Sequence, residues 1–316
     1  MISELSVLIW MCIVFFSLLL YIILDGSTLG IAMIFPYMKK YQRDQAMSIM
    51  LPTWDSSQTW LVFVLASSYG VFSKEFAYCF PQIYLQSICL AVGLLIRGVC
   101  FEFRLKSKEK MLLIWDNIFS KVSMLITLLH GYMYFFIFIK ILGSNKMAMN
   151  FQYIFFMVIL GISYLSMGFV RLLIKTKGTF YIRLKMLYRK FIKRITYLFF
   201  GILALNLYYN FLEIPDIFSL AFFVFIILGL FSSVYFLGSR DFFSYFIVML
   251  CNTSFYCFIF FRLVFFKLLS MHSIGSGNST LIFTLKIAIP MIPCIVVYTS
   301  YTYYVFRGKI DKIVTY

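Results

Sequence analysis

Two carboxylates, an amide and a guanidinium stand inside otherwise apolar stretches of this chain: Asp25, Asp55, Gln58 and Arg97. Ionisable groups in an apolar medium are costly, and where they occur they mark ion or proton pathways. A carboxylate there is pulled two ways. Burial favours its neutral form, and a neighbouring cation favours the anion. A balance between the two lets the acid take up and release a proton.

Asp25 precedes Gly26 near the end of a first apolar run. Asp55 opens the stretch Trp54-Asp55-Ser56-Ser57-Gln58-Thr59-Trp60-Leu61-Val62, and Arg97 and Glu102 lie late in a third run. Arg97 and Arg104 are seven residues apart, so they share a helical face and lie about 10 Å apart along the axis. Arg104 is expected to snorkel to the surface. Arg97 is deeper and needs a carboxylate, for which Asp25 and Asp55 are the candidates. The expected arrangement is one polar cluster of Asp25, Asp55, Gln58 and Arg97 that passes protons inward from the cytosol. Structural readings stand beside it. Asp55-Ser56-Ser57-Gln58 fits a capping box with Asp55 as N-cap, Trp54 and Trp60 fit interfacial anchors, and Asp25-Gly26 fits a kink.

The elements that position these groups follow from composition. The 316 residues are 63% hydrophobic and 13% charged, with a mean hydropathy of +0.94. A soluble core of this size cannot cover that much apolar surface, and each membrane-spanning helix needs about 20 apolar residues. Apolar runs lie at 5–24, 59–72, 82–103, 112–142, 151–174, 195–212, 217–237, 242–266 and 281–306. The fold expected is therefore all-α and polytopic, about nine transmembrane helices in a single integral membrane domain over 1–316. The first run continues past Asp25-Gly26 to Met38, too long for one straight span, so a kink, tilt or re-entrant segment is expected. The second helix is expected to begin near Trp54. With Glu4 and no basic flank, the first run reads as a retained span, not a signal peptide.

The net charge of +16 sets orientation. Nineteen of the 28 Lys and Arg residues fall in alternate loops, among them Lys39, Lys40, Arg43, Arg104, Lys106 and the segment 175–194. That bias predicts an outside N-terminus, a cytosolic C-terminus and an odd number of spans. No basic stripe interleaves with stacking platforms, which argues against nucleic acid. Residues 175–194 alternate basic residues with Phe180, Tyr181, Leu184, Leu187 and Phe191, the pattern of an amphipathic interfacial helix.

The seven cysteines contain no CxxC pair and read as small hydrophobes. The two histidines, His130 and His272, lie on separate segments. Heme sites commonly take axial His, and these two do not form a bis-His site on one helix. His130 reads as a core residue, and no metal-ligand spacing is present.

The order and spacing of several short motifs resemble subunit II of the cytochrome bd family of quinol oxidases. They are Asp25-Gly26 with Leu29-Gly30 and Pro36; Pro52-x-Trp54-Asp55-x-x-Gln58-x-Trp60-Leu61-Val62; Arg97-Gly98-Val99-x-Phe101-Glu102-Phe103-Arg104; Trp115-Asp116; and Pro290, Pro293, Tyr298, Tyr301, Tyr303 and Phe306-Arg307-Gly308-Lys309-Ile310. The resemblance implies two four-helix bundles plus a peripheral helix in a bacterial inner membrane. It implies a heme-bearing partner, subunit I, that carries hemes b and d and oxidises quinol, so that this chain ligates no heme. A structural quinone, bound lipid and a small accessory subunit belong to the same expectation. Asp55 matches the aspartate of a cytosolic proton path, and Trp54 is placed near the partner's heme. The chain departs from the family pattern at Thr28, where a second acid is usual, at Ser56-Ser57, where Gly-Asn is usual, and at Ala66-Ser67, where Gly-Gly is usual. Two other functions remain open. One is an ion-coupled transporter using Asp25, Asp55 and Arg97 as its coupling site, although no second broken helix matches Asp25-Gly26. The other is a divergent assembly subunit without a proton path.

Overall fold

In an apolar medium each backbone N–H and C=O must find its partner within the segment, which makes the helix the default element for this composition. The computed structural model describes residues 2–141, 150–209, 229, 235, 241–267 and 278–309. Helix α1 covers Ile2–Ile34 and closes in a 3-10 turn at Phe35–Tyr37. It is followed by α2 (Lys40–Met50), α3 (Trp54–Val71) and α4 (Ser73–Cys79), and after a second 3-10 turn (Phe80–Ile83) by α5 (Tyr84–Lys106). Then come α6 (Glu109–Ile141), α7 (Asn150–Lys175), α8 (Gly178–Tyr209), α9 (Asp241–Lys267) and α10 (Asn278–Val305). Among the described residues five stretches are long and apolar enough to cross a membrane: Leu5–Tyr37, Ser73–Lys106, Glu109–Ile137, Met157–Lys175 and Ser279–Val305. The chain is an all-α polytopic membrane protein. The run at 217–237 lies outside the described residues except for Gly229 and Tyr235.

Helix α1 is the hub and packs against α3, α6, α7, α9 and α10. It is not interrupted at Asp25-Gly26 and runs on as one helix to Ile34, so no re-entrant break forms there. The glycines there serve close packing. A Cβ on Gly30 would fall 1.8 Å from the Tyr164 carbonyl oxygen, and one on Gly168 of α7 would fall 2.5 Å from the Gly30 backbone. Small residues at such a crossing let two helix backbones approach.

Helix α3 begins at Trp54, as expected, but its cap differs. Thr53, not Asp55, is its N-cap, so the capping box at Asp55 does not form. The basic segment is likewise no separate surface helix. It is the first half of α8, whose Phe180, Leu184, Tyr188, Ile192 and Ile195 recur about every fourth residue and are buried. Phe169 of α7 meets Tyr188 and Phe191 at ring distances of 5.8 and 5.3 Å. The apolar stripe is covered by protein, and the outer face carries Arg189, Lys190, Lys193 and Arg194. Gly178, with φ of 68°, makes the left-handed turn between α7 and α8.

The α1–α7 contact yields a direct test. Gly30→Ala places a methyl into the Tyr164 backbone and is expected to cost about 3 kcal/mol or more. Gly70→Ala, where an added Cβ meets nothing within 4 Å, is the matched control. Thermal unfolding in detergent should show a lower midpoint for the first and an unchanged one for the second.

Candidate functional site

Helix α5 presents Arg97 to α1, and the two helices are locked there by charge. Arg97 Nη1 donates to Asp25 Oδ2 at 2.8 Å, and Nη2 donates to Oδ1 at 2.7 Å. Arg97 is 2% exposed and Asp25 0%. The Thr28 hydroxyl lies 2.7 Å from both the Asp25 carbonyl and Oδ1, so it offers its one proton to those two acceptors. The same oxygen accepts a hydrogen bond from Arg97 Nη2. The guanidinium also sits over the Phe101 ring at 5.8 Å. A buried ion pair persists only when the geometry is bidentate and the remaining lone pairs are occupied. Thr28 supplies that occupancy.

One turn before Asp25, the Tyr21 hydroxyl lies 3.1 Å from His130 Nε2. The His130 ring stacks on Tyr134 at 5.5 Å and meets Tyr164 edge-on at 6.3 Å. Its Nε2 is engaged by Tyr21 and one face is covered by the Tyr134 ring, while Nδ1 is buried without a hydrogen-bond partner among the described residues. Among the described residues no group of three His, Cys, Asp or Glu side chains could hold a metal. His272 lies outside the described residues.

Asp55 does not join the Asp25–Arg97 pair. It lies in the first turn of α3 and is exposed, while Ser56 and Ser57 turn inward and donate to the Thr53 carbonyl at 3.0 and 2.9 Å. The nearest polar contact to its carboxylate is a long one, the Tyr298 hydroxyl of α10 at 3.5 Å. Gln58, one turn on, is half-buried. Below Asp55 the same face of α3 exposes Val62, Leu65 and Tyr69. The single expected cluster is therefore two sites, a closed internal pair and an outward acid. Trp54 stacks on Phe101 at 5.2 Å. Trp60 is no interfacial anchor: it is buried and donates to Thr299 of α10 at 3.2 Å. Glu102 is exposed and lies 3.9 Å from Lys106.

Two further charged sites escaped the sequence reading. Arg104 does not snorkel. It donates through Nε to Asp116 Oδ1 at 2.5 Å and through Nη2 to Asp44 Oδ1 at 2.7 Å. Arg43 adds a contact to Asp116 Oδ2 at 3.1 Å, and the network ties α2, α5 and α6 together. The available signal was the adjacency of acid and base in Arg43-Asp44 and the acid in Trp115-Asp116, hidden by treating loop charges as solvated. The second site is Arg171 of α7, which is buried and donates to Ser27 Oγ at 2.6 Å and to Thr53.

Removing one partner of the internal pair strands a charge. Arg97→Leu is expected to cost about 3–5 kcal/mol, and the double change Arg97→Met with Asp25→Leu should recover most of it. Unfolding midpoints of the purified chain and its variants measure both. A single variant as stable as the double would remove the lock from the argument.

Over residues 6–306 the chain matches the family described as cytochrome bd terminal oxidase subunit II. It is similar to the cytochrome bd-I ubiquinol oxidase subunit 2 of Escherichia coli strain K12, 25% identical over 114 residues, which is 35% of this chain and 29% of that protein. It is also similar to a probable cytochrome oxidase subunit 2 of Haemophilus influenzae, 25% identical over 100 residues, or 31% of this chain and 26% of the other. The aligned stretches span less than a third of each of these relatives. The match along nearly the whole chain is what assigns it: the protein belongs to the cytochrome bd terminal oxidase subunit II family.

Proposed function

We propose that this chain is the non-heme subunit II of a heterodimeric cytochrome bd-type quinol:oxygen oxidoreductase in the bacterial inner membrane. It supports assembly with a heme-bearing subunit I and delivers protons from the cytosol for the reduction of dioxygen to water. The observation that carries the proton role is the placement of Asp55. It is a carboxylate on an outward face, above an apolar stripe, with no cation on it among the described residues. Lipid tails do not solvate such a group, so a protein partner is the covering that suits it. A partner docked over α3 and the Tyr298 side of α10 brings Asp55 to the subunit boundary, where it takes a proton from the cytosol and releases it toward the partner. Gln58 lies one turn further along the same helix, and Trp54 flanks the acid on its N-terminal side. In this arrangement the N-terminus is outside and the basic end of the bundle is cytosolic.

Asp25 and Arg97 take a different part from the one first expected. Their closed bidentate pair leaves no oxygen of Asp25 without a strong donor, so they hold α1 and α5 in register while Asp55 handles the proton. The hemes and the quinol-oxidising site belong to the partner in this proposal. The competing function, an assembly subunit without a proton path, draws support from Thr28, which carries no charge where the family pattern has an acid.

Oxygen consumption with quinol in the assembled complex separates the two. Asp55→Asn should lower turnover by at least about ten-fold at unchanged complex yield. Asp25→Asn should lower yield instead, with turnover per assembled complex much less affected. Full turnover in Asp55→Asn would leave only the assembly role.

A further inference from the structure

Three of the arginines packed into the described helices meet aspartates: Arg97 with Asp25, Arg104 with Asp116 and Asp44, and Arg43 with Asp116. Arg171 differs. It is 5% exposed, and all its partners are neutral: Ser27 Oγ, the Leu24 carbonyl at 3.5 Å, and the Thr53 hydroxyl. Its guanidinium lies over the Tyr303 ring at 5.5 Å. Lys175, one turn on, is half-buried and donates to the carbonyls of Phe306 and Gly308 at 2.6 and 3.4 Å. Neither cation forms an ion pair among the described residues. Two positive charges thus sit together at the basic ends of α7 and α10 with only dipoles to balance them.

A guanidinium has five N–H donors, and the three acceptors around Arg171 leave it with donors to spare. The Tyr303 hydroxyl is buried with no hydrogen-bond partner among the described residues. Buried charge in an apolar medium calls for a counter-charge. Arg171 lies about 6 Å from the end of α7, the depth at which headgroups meet a helix terminus. Basic pockets between transmembrane helices at that level bind anionic headgroups, and a guanidinium with a nearby ammonium suits a phosphate oxyanion.

We infer that Arg171 and Lys175 form a binding site for the phosphate of one anionic phospholipid, with Tyr303 as a further hydrogen-bond donor. The lipid neutralises the cations and bridges α7 to the end of α10. This site is separate from Asp55 and does not depend on the proton role.

The test uses the full-length chain in the assembly with which it co-purifies from the membrane. Bound phospholipid is counted by phosphorus assay and native mass spectrometry. Unfolding midpoints are then recorded after delipidation with added phosphatidylglycerol, phosphatidylcholine or inorganic phosphate. The wild-type chain should retain anionic phospholipid and gain stability from phosphatidylglycerol alone. Arg171→Gln and Lys175→Gln should each bind it about ten-fold more weakly, the loss of one charge-assisted hydrogen bond. Lys193→Gln, on the exposed face of α8, should behave as wild type. If Arg171→Gln fails to accumulate, Lys175→Gln and Tyr303→Phe carry the test. Equal stabilisation by phosphatidylcholine, or full stabilisation by inorganic phosphate, overturns the lipid site. So does wild-type lipid retention in Lys175→Gln and Tyr303→Phe, or loss of a partner subunit from Arg171→Gln without loss of lipid.

Discussion

An ion pair inside a membrane protein must be closed on itself, because no water completes what the protein leaves undone. The Asp25 carboxylate meets that demand with two parallel hydrogen bonds from Arg97 and one from Thr28, while Arg97 Nε is buried without a hydrogen-bond partner among the described residues. The surrounding structure follows from the need to keep it closed. Arg97 reaches α1 at one height only, which sets the register of α5 against α1. Gly26 and Gly30 admit Tyr164 and Gly168 of α7 against the same stretch of α1, which seals the pair from that side. Tyr21 and His130 extend the polar interior by one hydrogen bond and end it among tyrosine rings.

The basic end of the bundle is organised by the same electrostatic logic on a second level. Arg104, Asp116, Asp44 and Arg43 alternate in sign and join three helices. Each carboxylate there faces a guanidinium. Beside them the aromatic rings of Phe35, Phe101 and Phe119 pack at 5.2 and 5.0 Å, with Trp54 on the outer side of Phe101. The Trp54 ring also lies against Gly98, where a Cβ would sit 3.5 Å away. The first turn of α3 is thereby anchored to α5, which holds Asp55 facing out while Ser56 and Ser57 face in.

Much of this was legible in the sequence, and the limits have physical causes. The all-α membrane fold followed from composition, and the start of α3 near Trp54 followed from the shortness of its apolar run. The need of Arg97 for a carboxylate followed from its depth. Which carboxylate it takes did not, because the answer depends on the face of α3 that Asp55 occupies, and one residue of rotation moves a side chain by about 100°. The close packing at the glycines of α1 was not legible, because sequence shows a small residue but not the helix pressed against it. The buried network at Arg104 was missed for a different reason. Charge counting treats loop residues as solvated, whereas α2 folds back and brings Asp44 to α5.

Thr28 sets the charge balance of the buried pair. With an acid at that position, the buried cluster would hold two carboxylates against one guanidinium, and the excess negative charge would be relieved by binding a proton. Such a cluster is poised to exchange one. With threonine the count is one carboxylate and one guanidinium, already neutral, and the threonine proton is committed to Asp25. Releasing or accepting a proton there would create an unpaired charge in a site from which water is excluded, at a cost of several kcal/mol. With threonine in this position the neutral pair is suited to fastening α1 to α5. Asp55, at the outward turn of α3, stands outside this closed pair and keeps an exposed carboxylate.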